Sequence, residues 1–323
     1  MSDHSKASDG FSVGDILALA NDKLSSVEAR IKTTATEEYA NILVLGAPRS
    51  GTTLLTQTIF QHMDVACTNN LMARFWKAPN VGAAFSREIL GDIKGSDLRS
   101  QFGTTMMPWE PHEFSRFWHN VLNYSVGDGN SFVPEQGEVD WSYVRSSLFN
   151  INASFGKAVV HKPLELVGYC LEAFAREVEK AVFVYVERDD IDAAVSIADA
   201  RIRRGEGLDC WWSCFPPQQD FQKLIGQPFN IQIAGQVRFL KRMYRERLDK
   251  LDEGRVVSVT YNDLCQNPVA VLEQIRGKTA NMGREVAITG KPNAQSPSKR
   301  AADPELIRDL EHGFQQLKVQ FDV

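Results

Sequence analysis

The chain has 323 residues, 43% of them hydrophobic and 24% charged, a composition that buries a core and excludes a disordered or fibrous chain. With 36 Lys and Arg against 41 Asp and Glu the net charge is -5, which excludes a protein that coats nucleic acid through a basic excess. A local anion site stays open to it, because a few placed cations decide that and not the total.

The N-terminal stretch MSDHSKASDG is polar and has no apolar segment of the signal-peptide kind. It leads into an expected helix with the stripe Ile16, Leu17, Leu19, Ala20, Leu24 and Val27. The unbroken apolar run Ile42-Leu43-Val44-Leu45 predicts a parallel strand buried on both faces. It stops at Gly46-Ala47-Pro48, and a helical stripe of Leu55, Ile59 and Met63 begins after Gly51. The same strand-then-helix unit recurs. Ala158–Val160 precedes a helix over Leu164–Glu179, Ala181–Val186 a helix over Ile191–Arg203, and Val256–Tyr261 a helix capped by Asn262 or Asp263. Arg201, Arg203 and Arg204 read as a solvated helix end. A last helix is capped by Asp303, with Pro304 in its first turn and Leu306, Leu310, Phe314 and Leu317 on one face.

Strands alternating with helices predict an α/β fold whose mostly parallel sheet is flanked by helices and binds ligands at the strand C-termini. One domain is expected over residues 1–323: a helical lead at 1–40, a core at 41–276 interrupted by mostly helical or irregular insertions at 64–156 and 204–254, and a polar loop with the final helix at 277–323. No run approaches the ~18 apolar residues of a membrane span. The cysteines at 67, 170, 210, 214 and 265 are odd in number and scattered, and Cys210 and Cys214 lack the second ligand pair of a zinc site. The expectation is a cytoplasmic chain with reduced thiols and no metal. Its oligomeric state is not written in the sequence.

Between the first strand and its helix stands Gly46-Ala47-Pro48-Arg49-Ser50-Gly51-Thr52-Thr53. A glycine-bearing turn at a helix start aims successive backbone N–H groups, and the positive end of the helix dipole, at one anion. Pro48, Arg49, Ser50, Gly51, Thr52 and Thr53 are the candidate binding residues, Arg49 as a fixed cation and the threonines as hydroxyl donors. The spacing of Gly46 and Gly51 fits the GxxxxGK[ST] loop of nucleoside triphosphatases, but Thr52 holds the lysine position. The cation that reaches β- and γ-phosphates is lost and Arg49 has entered the loop. A single 5′-phosphate with a group attached suits the loop better than a triphosphate.

Ala47-Pro48-Arg49-Ser50-Gly51-Thr52-Thr53-Leu54-Leu55 after a buried strand resembles the 5′-phosphosulfate loop, in its bacterial form, of the P-loop-like sulfotransferases that use 3′-phosphoadenosine 5′-phosphosulfate (PAPS). A second stretch agrees. Val184-Tyr185-Val186-Glu187-Arg188, followed by a helix carrying Ser196, resembles the family's 3′-phosphate motif, in which an arginine ends a strand and a serine lies inside the next helix. A guanidinium and an early-helix hydroxyl can converge on one dianion. Val259-Thr260-Tyr261-Asn262-Asp263-Leu264 is similar to a strand-and-cap segment whose role in the family is structural. The resemblance implies an enzyme that moves a sulfonyl group in line from PAPS to a hydroxyl or amine, without a metal, and releases adenosine 3′,5′-bisphosphate. The acceptor it implies is a small molecule or a glycan.

In-line transfer is catalysed by positioning and by neutralising charge, so it needs a cation at the sulfonate and a base for the acceptor. Lys162, in His161-Lys162-Pro163 at a strand end, looks like the family's lysine, and Arg49 is the second cation. The base does not map. Leu164 stands where cytosolic relatives place a histidine, and Cys67-Thr68-Asn69-Asn70 lacks the glutamate of tyrosylprotein-type relatives. Trp109-Glu110-Pro111-His112-Glu113-Phe114 supplies the remaining candidates, His112 and Glu113 ahead of Glu110 and His161. Trp109, Phe114, Phe117, Trp118, Trp211, Trp212 and Phe215 are acceptor-pocket or core residues. Leu54 replaces the tryptophan that many cytosolic members place after the threonines, so adenine stacking has to come from elsewhere. Ser296-Pro297-Ser298-Lys299-Arg300 is a candidate basic lid. Two other functions fit parts of the pattern: a P-loop kinase or triphosphatase, against which Thr52 stands, and a nucleotide-binding protein without catalysis, which the unmapped base allows.

Overall fold

The structure, a computed structural model, describes residues 12–31, 36–95, 100, 103–126, 132–134, 139–204, 207–298 and 302–323. The elements in chain order are α1 (Val13–Glu28), β1 (Asn41–Leu45), α2 (Thr52–His62), β2 (Ala66–Cys67), α3 (Pro79–Leu90), α4 (Ser115–Val121), β3 (Tyr124–Val126), β4 (Phe132–Pro134), α5 (Trp141–Phe155), β5 (Val159–His161), α6 (Glu165–Gly168), α7 (Leu171–Glu177), β6 (Ala181–Glu187), α8 (Asp190–Arg203), α9 (Gln218–Leu224), α10 (Phe229–Leu248), β7 (Val256–Thr260), α11 (Tyr261–Gln266), α12 (Pro268–Asn281) and α13 (Pro304–Phe321).

The fold is α/β. Five strands form one sheet in the order β2-β5-β1-β6-β7, every neighbour parallel. Successive residues of a strand face opposite ways, and both faces of β1 are apolar. Ile42 and Val44 pack with Leu55, Ile59 and Val184 on one side, while Leu43 and Leu45 pack with Trp118, Phe174 and Phe183 on the other. Helices therefore cover both faces, as a parallel sheet requires. A third core lies between α8, α10 and α13, around Ile197, Val237, Leu310 and Phe314. Leu43 pairs with His161 and Leu45 with Tyr185, so the loop leaving β1 sits between the residues that follow β5 and those that end β6. β3 and β4 form a separate antiparallel pair inside the insertion, where only helix or irregular chain is expected.

Four expectations are corrected. Residues 164–179 carry two short helices, not one: a Cβ on Gly168 would lie 2.8 Å from Tyr244 Cε1, and α10 approaches so closely that the chain turns there before α7. α11 is capped by Thr260, whose hydroxyl accepts from the Asp263 N–H at 3.1 Å, not by Asn262 or Asp263. Thr260 is extended, so one β-branched residue can end the strand and cap the helix.

α1 does not bury its apolar stripe; Ile16, Leu19 and Val27 are exposed, and Asn21 and Glu28 are buried. Asn21 bonds the Arg74 carbonyl and the Lys77 N–H, and Glu28 accepts from the Asn80 and Val81 N–H groups at the start of α3. Polar anchors dock this helix, and burial raises the Glu28 pKa despite those two bonds. Finally, Arg201 is buried and not solvated: it donates to the Leu208 carbonyl at 2.8 Å and lies over the Trp211 ring. Arg203 of that run pairs at the surface, with Asp199 at 2.7 Å. All five cysteines are free thiols. No helix among the described residues is long and apolar enough to cross a membrane.

Candidate functional site

The loop between β1 and α2 is shaped by two close approaches. A Cβ on Gly46 would stand 2.5 Å from Ser50 Oγ and 2.6 Å from the Val186 carbonyl, so only glycine lets the loop lie against β6. Gly51 has φ 107°, a left-handed backbone, and a Cβ there would meet Tyr261 Cδ2 at 2.5 Å. Arg49 is left-handed too, with φ 65°. For a residue with a Cβ this costs roughly 1–2 kcal/mol, and both ends of the residue are held. Its Nε donates to Ser196 Oγ at 2.9 Å and its carbonyl accepts from Arg188 Nη1 at 3.3 Å. Ser50 Oγ is buried with no partner among the described residues.

From this loop the side chains reach two clusters. The first lies at the end of β6. Arg188, Arg49 and Ser196 converge there, and the Arg188 guanidinium sits 4.5 Å above the Tyr261 ring. Arg188 Nη2 donates to the Ser298 carbonyl, Tyr261 Oη and Ser298 Oγ are 2.9 Å apart, and Arg188 Nε is buried without a partner among the described residues. Lys241 holds the Arg188 main chain: its buried Nζ donates to the Arg188 carbonyl and to Asp190 Oδ1, each at 2.5 Å. A cleft of about 650 Å³ adjoins, walled by Arg188, Lys241, Thr260 and Asn262.

The second cluster lies beyond β5. Lys162 is 4% exposed, and its ammonium donates to Glu113 Oε1 at 2.7 Å, Thr53 Oγ1 at 2.8 Å and the Gly103 carbonyl at 3.3 Å. All three of its donors are used. Gly103 has φ 88°, and its backbone closes over the cluster, with the site of a Cβ only 3.4 Å from Thr53 Oγ1. Phe114 and Leu164, each left-handed at φ 54° and φ 51°, stand just beyond Glu113 and Lys162. Strained backbone is thus gathered around the two charged groups.

The other candidate bases occupy different environments. Glu110 is buried, and its Oε2 accepts from the Met106 and Met107 N–H groups at 3.0 Å each, a loop-forming role. His161 is buried against Asn41 at 3.0 Å, and burial pushes its pKa down to about 3. His112 Nδ1 accepts the Phe114 N–H at 2.8 Å, and burial lowers its pKa. A neutral imidazole whose Nδ1 accepts carries its proton on Nε2, so His112 offers a donor there. Glu113 is the candidate that stands beside Lys162.

Phe114, Phe117 and Trp118 are fully buried core. Trp211, Phe215 and Phe221 form an aromatic cluster with ring centroids 4.9–5.4 Å apart. Lys299 and Arg300 of the expected lid lie outside the described residues, while Ser298 meets Arg188 and Tyr261. The residues that sequence reasoning missed are Tyr261, Gly103 and Lys241. Tyr261 had a signal in its segment; the other two acquire their places only through the fold.

Residues 41–278 match the profile of the sulfotransferase family. The chain is similar to the crystal structure of sulfotransferase STF1 from Mycobacterium tuberculosis, at 15% identity and a TM-score of 0.49, covering 96% of this chain and 82% of that one. Sulfotransferase STF9 from Mycobacterium avium is similar at 12% identity and a TM-score of 0.48, covering 94% and 73%. A sulfotransferase from Alicyclobacillus acidocaldarius follows at 13% and 0.43, covering 88% and 96%. No curated protein sequence matches the chain.

Proposed function

Because the chain belongs to the sulfotransferase family, we propose that it transfers a sulfonyl group from PAPS to a hydroxyl or amine of a small-molecule or glycan acceptor. One observation carries the reading. A single loop sends Arg49 to Arg188 and Ser196 at the end of β6, and Thr53 to Lys162 and Glu113 beyond β5. Two anion-seeking clusters joined by one loop suit a ligand anionic at both ends. Two buried donors without partners among the described residues, Ser50 Oγ and Arg188 Nε, fit such a ligand, since orphaned buried polar groups are uncommon unless something satisfies them.

When bound, PAPS supplies a sulfonyl group activated by attachment to a phosphate leaving group. Arg188, Arg49 and Ser196 hold the 3′-phosphate; Pro48 to Thr52 and the opening N–H groups of α2 hold the 5′-phosphate. Tyr261, buried with its ring between Gly51 and the Arg188 guanidinium and its hydroxyl on Ser298, positions Arg188 for the 3′-phosphate. Lys162 and Thr53 neutralise charge on the transferring sulfonate. Glu113 takes the acceptor proton on its carboxylate. As it does, its ion pair with Lys162 weakens and frees the ammonium for the developing charge. Lys162 at the sulfonate and the opening N–H groups of α2 at the leaving phosphate supply the positive charge that a metal provides in other transferases.

The test incubates the protein with PAPS and a panel of hydroxyl and amine acceptors in the presence of a chelator. Sulfonated product together with adenosine 3′,5′-bisphosphate is expected. Activity lost in chelator and restored by Mg²⁺, with ATP as the ligand bound, would favour the triphosphatase reading.

A further inference from the structure

The segments that carry His112 and Glu113 continue into an open cleft of about 530 Å³, within the range of small-ligand sites. One wall is the exposed face of α4, where Ser115, Arg116, His119 and Asn120 follow Glu113 in the chain. The other is Trp76 with Lys77, and Arg74, just before Trp76, is close enough for its charge to act on His112.

The lining is one-sided. No carboxylate lines the cleft among the described residues, and Asp22 only pairs with Lys77 at its edge, at 2.7 Å. The Arg116 guanidinium lies 4.5 Å above the Trp76 ring and has no ion-pair partner among the described residues. Stacking on an indole fixes the plane of a guanidinium while leaving its N–H edge free to fork onto a carboxylate or sulfate. Ser115 and Asn120 add neutral hydrogen-bonding groups suited to hydroxyls.

We propose that this cleft is the acceptor subsite and that Arg116, set on Trp76, selects a polyhydroxylated acceptor bearing its own anionic group, a carboxylate or a sulfate ester. The proposal rests on the sulfotransferase reading and adds the acceptor class to it. The accepting hydroxyl then faces Glu113, at the head of the segment that leads into α4, while Arg116, three residues further along the chain, holds the anionic group. Arg116 is a specificity residue and takes no part in moving the proton.

The test compares three 4-nitrophenyl sugars: the β-D-glucoside, the β-D-glucuronide and the 6-sulfated β-D-glucoside. Each is titrated into the full chain saturated with adenosine 3′,5′-bisphosphate. At least one anionic sugar is expected to bind about tenfold or more tighter than the glucoside, the scale of one charge-assisted contact. Which of the two wins separates carboxylate from sulfate. In Arg116→Ala the difference should vanish, while bisphosphate affinity stays as in the wild type. Equal binding of all three sugars, or an anionic preference that survives Arg116→Ala, overturns the proposal while leaving the transferase reading intact. Failure to bind the bisphosphate at all would instead remove the reading beneath it.

Discussion

The loop after β1 and the stretch Trp109–Phe114 were equally dense in polar groups as sequence, yet they fold to opposite effect. In the loop, consecutive residues act together: Gly46 and Gly51 permit the close approaches, and Arg49 and Thr53 reach to either side. In the second stretch, consecutive residues separate. Glu110 turns inward onto backbone N–H groups, His112 spends its acceptor on Phe114, and Glu113 alone meets Lys162. A site made of backbone is written locally, because a turn needs its own residues. A site made of side chains from distant elements depends on where those elements end.

Breaking the second region should have the largest effect. Glu113→Gln keeps the size of the side chain and removes the carboxylate, so turnover should fall about 10²- to 10⁴-fold, the usual contribution of a general base. Bisphosphate affinity should stay within a few-fold of the wild type. Glu110→Gln, two bonds into the loop but away from Lys162, should lower the melting temperature more than it lowers kcat. If the two variants behave alike in steady-state assays, the separation of roles within the stretch is wrong.

The loop is broken by shape. Gly51→Ala places a Cβ 2.5 Å from Tyr261 Cδ2 on a backbone at φ 107°, and should destabilise the fold by roughly 1–3 kcal/mol in denaturant titration. Nucleotide binding should weaken with it, because Tyr261 also carries Arg188 and Ser298. An unchanged midpoint would show that the ring moves aside freely.

The smallest effect concerns a residue that sequence reasoning grouped with the bases. His161 is held neutral by burial at a pKa of about 3, against an ordinary 6.5. The unfolded chain takes up a proton below pH 6.5 and the folded chain does not. Its contribution to stability is therefore complete above pH 6.5 and lost as the pH falls towards 3, by up to about 1.4 kcal/mol per pH unit. Burial shifts His112 and His119 the same way, so the reading is a difference: His161→Gln should make the loss of stability between pH 6.5 and 5 shallower than in the wild type. Equal slopes would mean that His161 is protonated in the fold.

The alternation of apolar strands and striped helices was legible because burial on two sheet faces dictates it, and the strands 41–45, 181–187 and 256–260 lie where the runs predict. β2 was not, since Ala66-Cys67 is too short to carry a pattern. The α1 stripe misled, because Asn21 and Glu28 dock that helix through bonds to Arg74, Lys77 and α3 that no periodicity encodes. In the site, Arg49, Thr53, Lys162 and Arg188 could be read from strand ends. Ser196 and Glu113 were legible as well, but the pairings were not: Arg49 meets Ser196, 147 residues away, and Lys162 meets Glu113, 49 residues away. Lys241 stands among several Lys and Arg residues of α10, and only the fold sets it under the Arg188 carbonyl.

The account stands on the cluster at the end of β6 holding a 3′-phosphate, and a pair of calorimetric titrations tests that directly. Adenosine 3′,5′-bisphosphate and AMP are titrated into the wild type and into Arg188→Ala. A guanidinium–phosphate bond is worth roughly 1.5–3 kcal/mol, or about 10- to 100-fold in affinity. The wild type should bind the bisphosphate at least that much more tightly than AMP, and Arg188→Ala should lose most of the ratio by weakening the bisphosphate, with AMP nearly unmoved. Equal affinities in the wild type, or an Arg188→Ala variant that weakens both nucleotides alike, would contradict it.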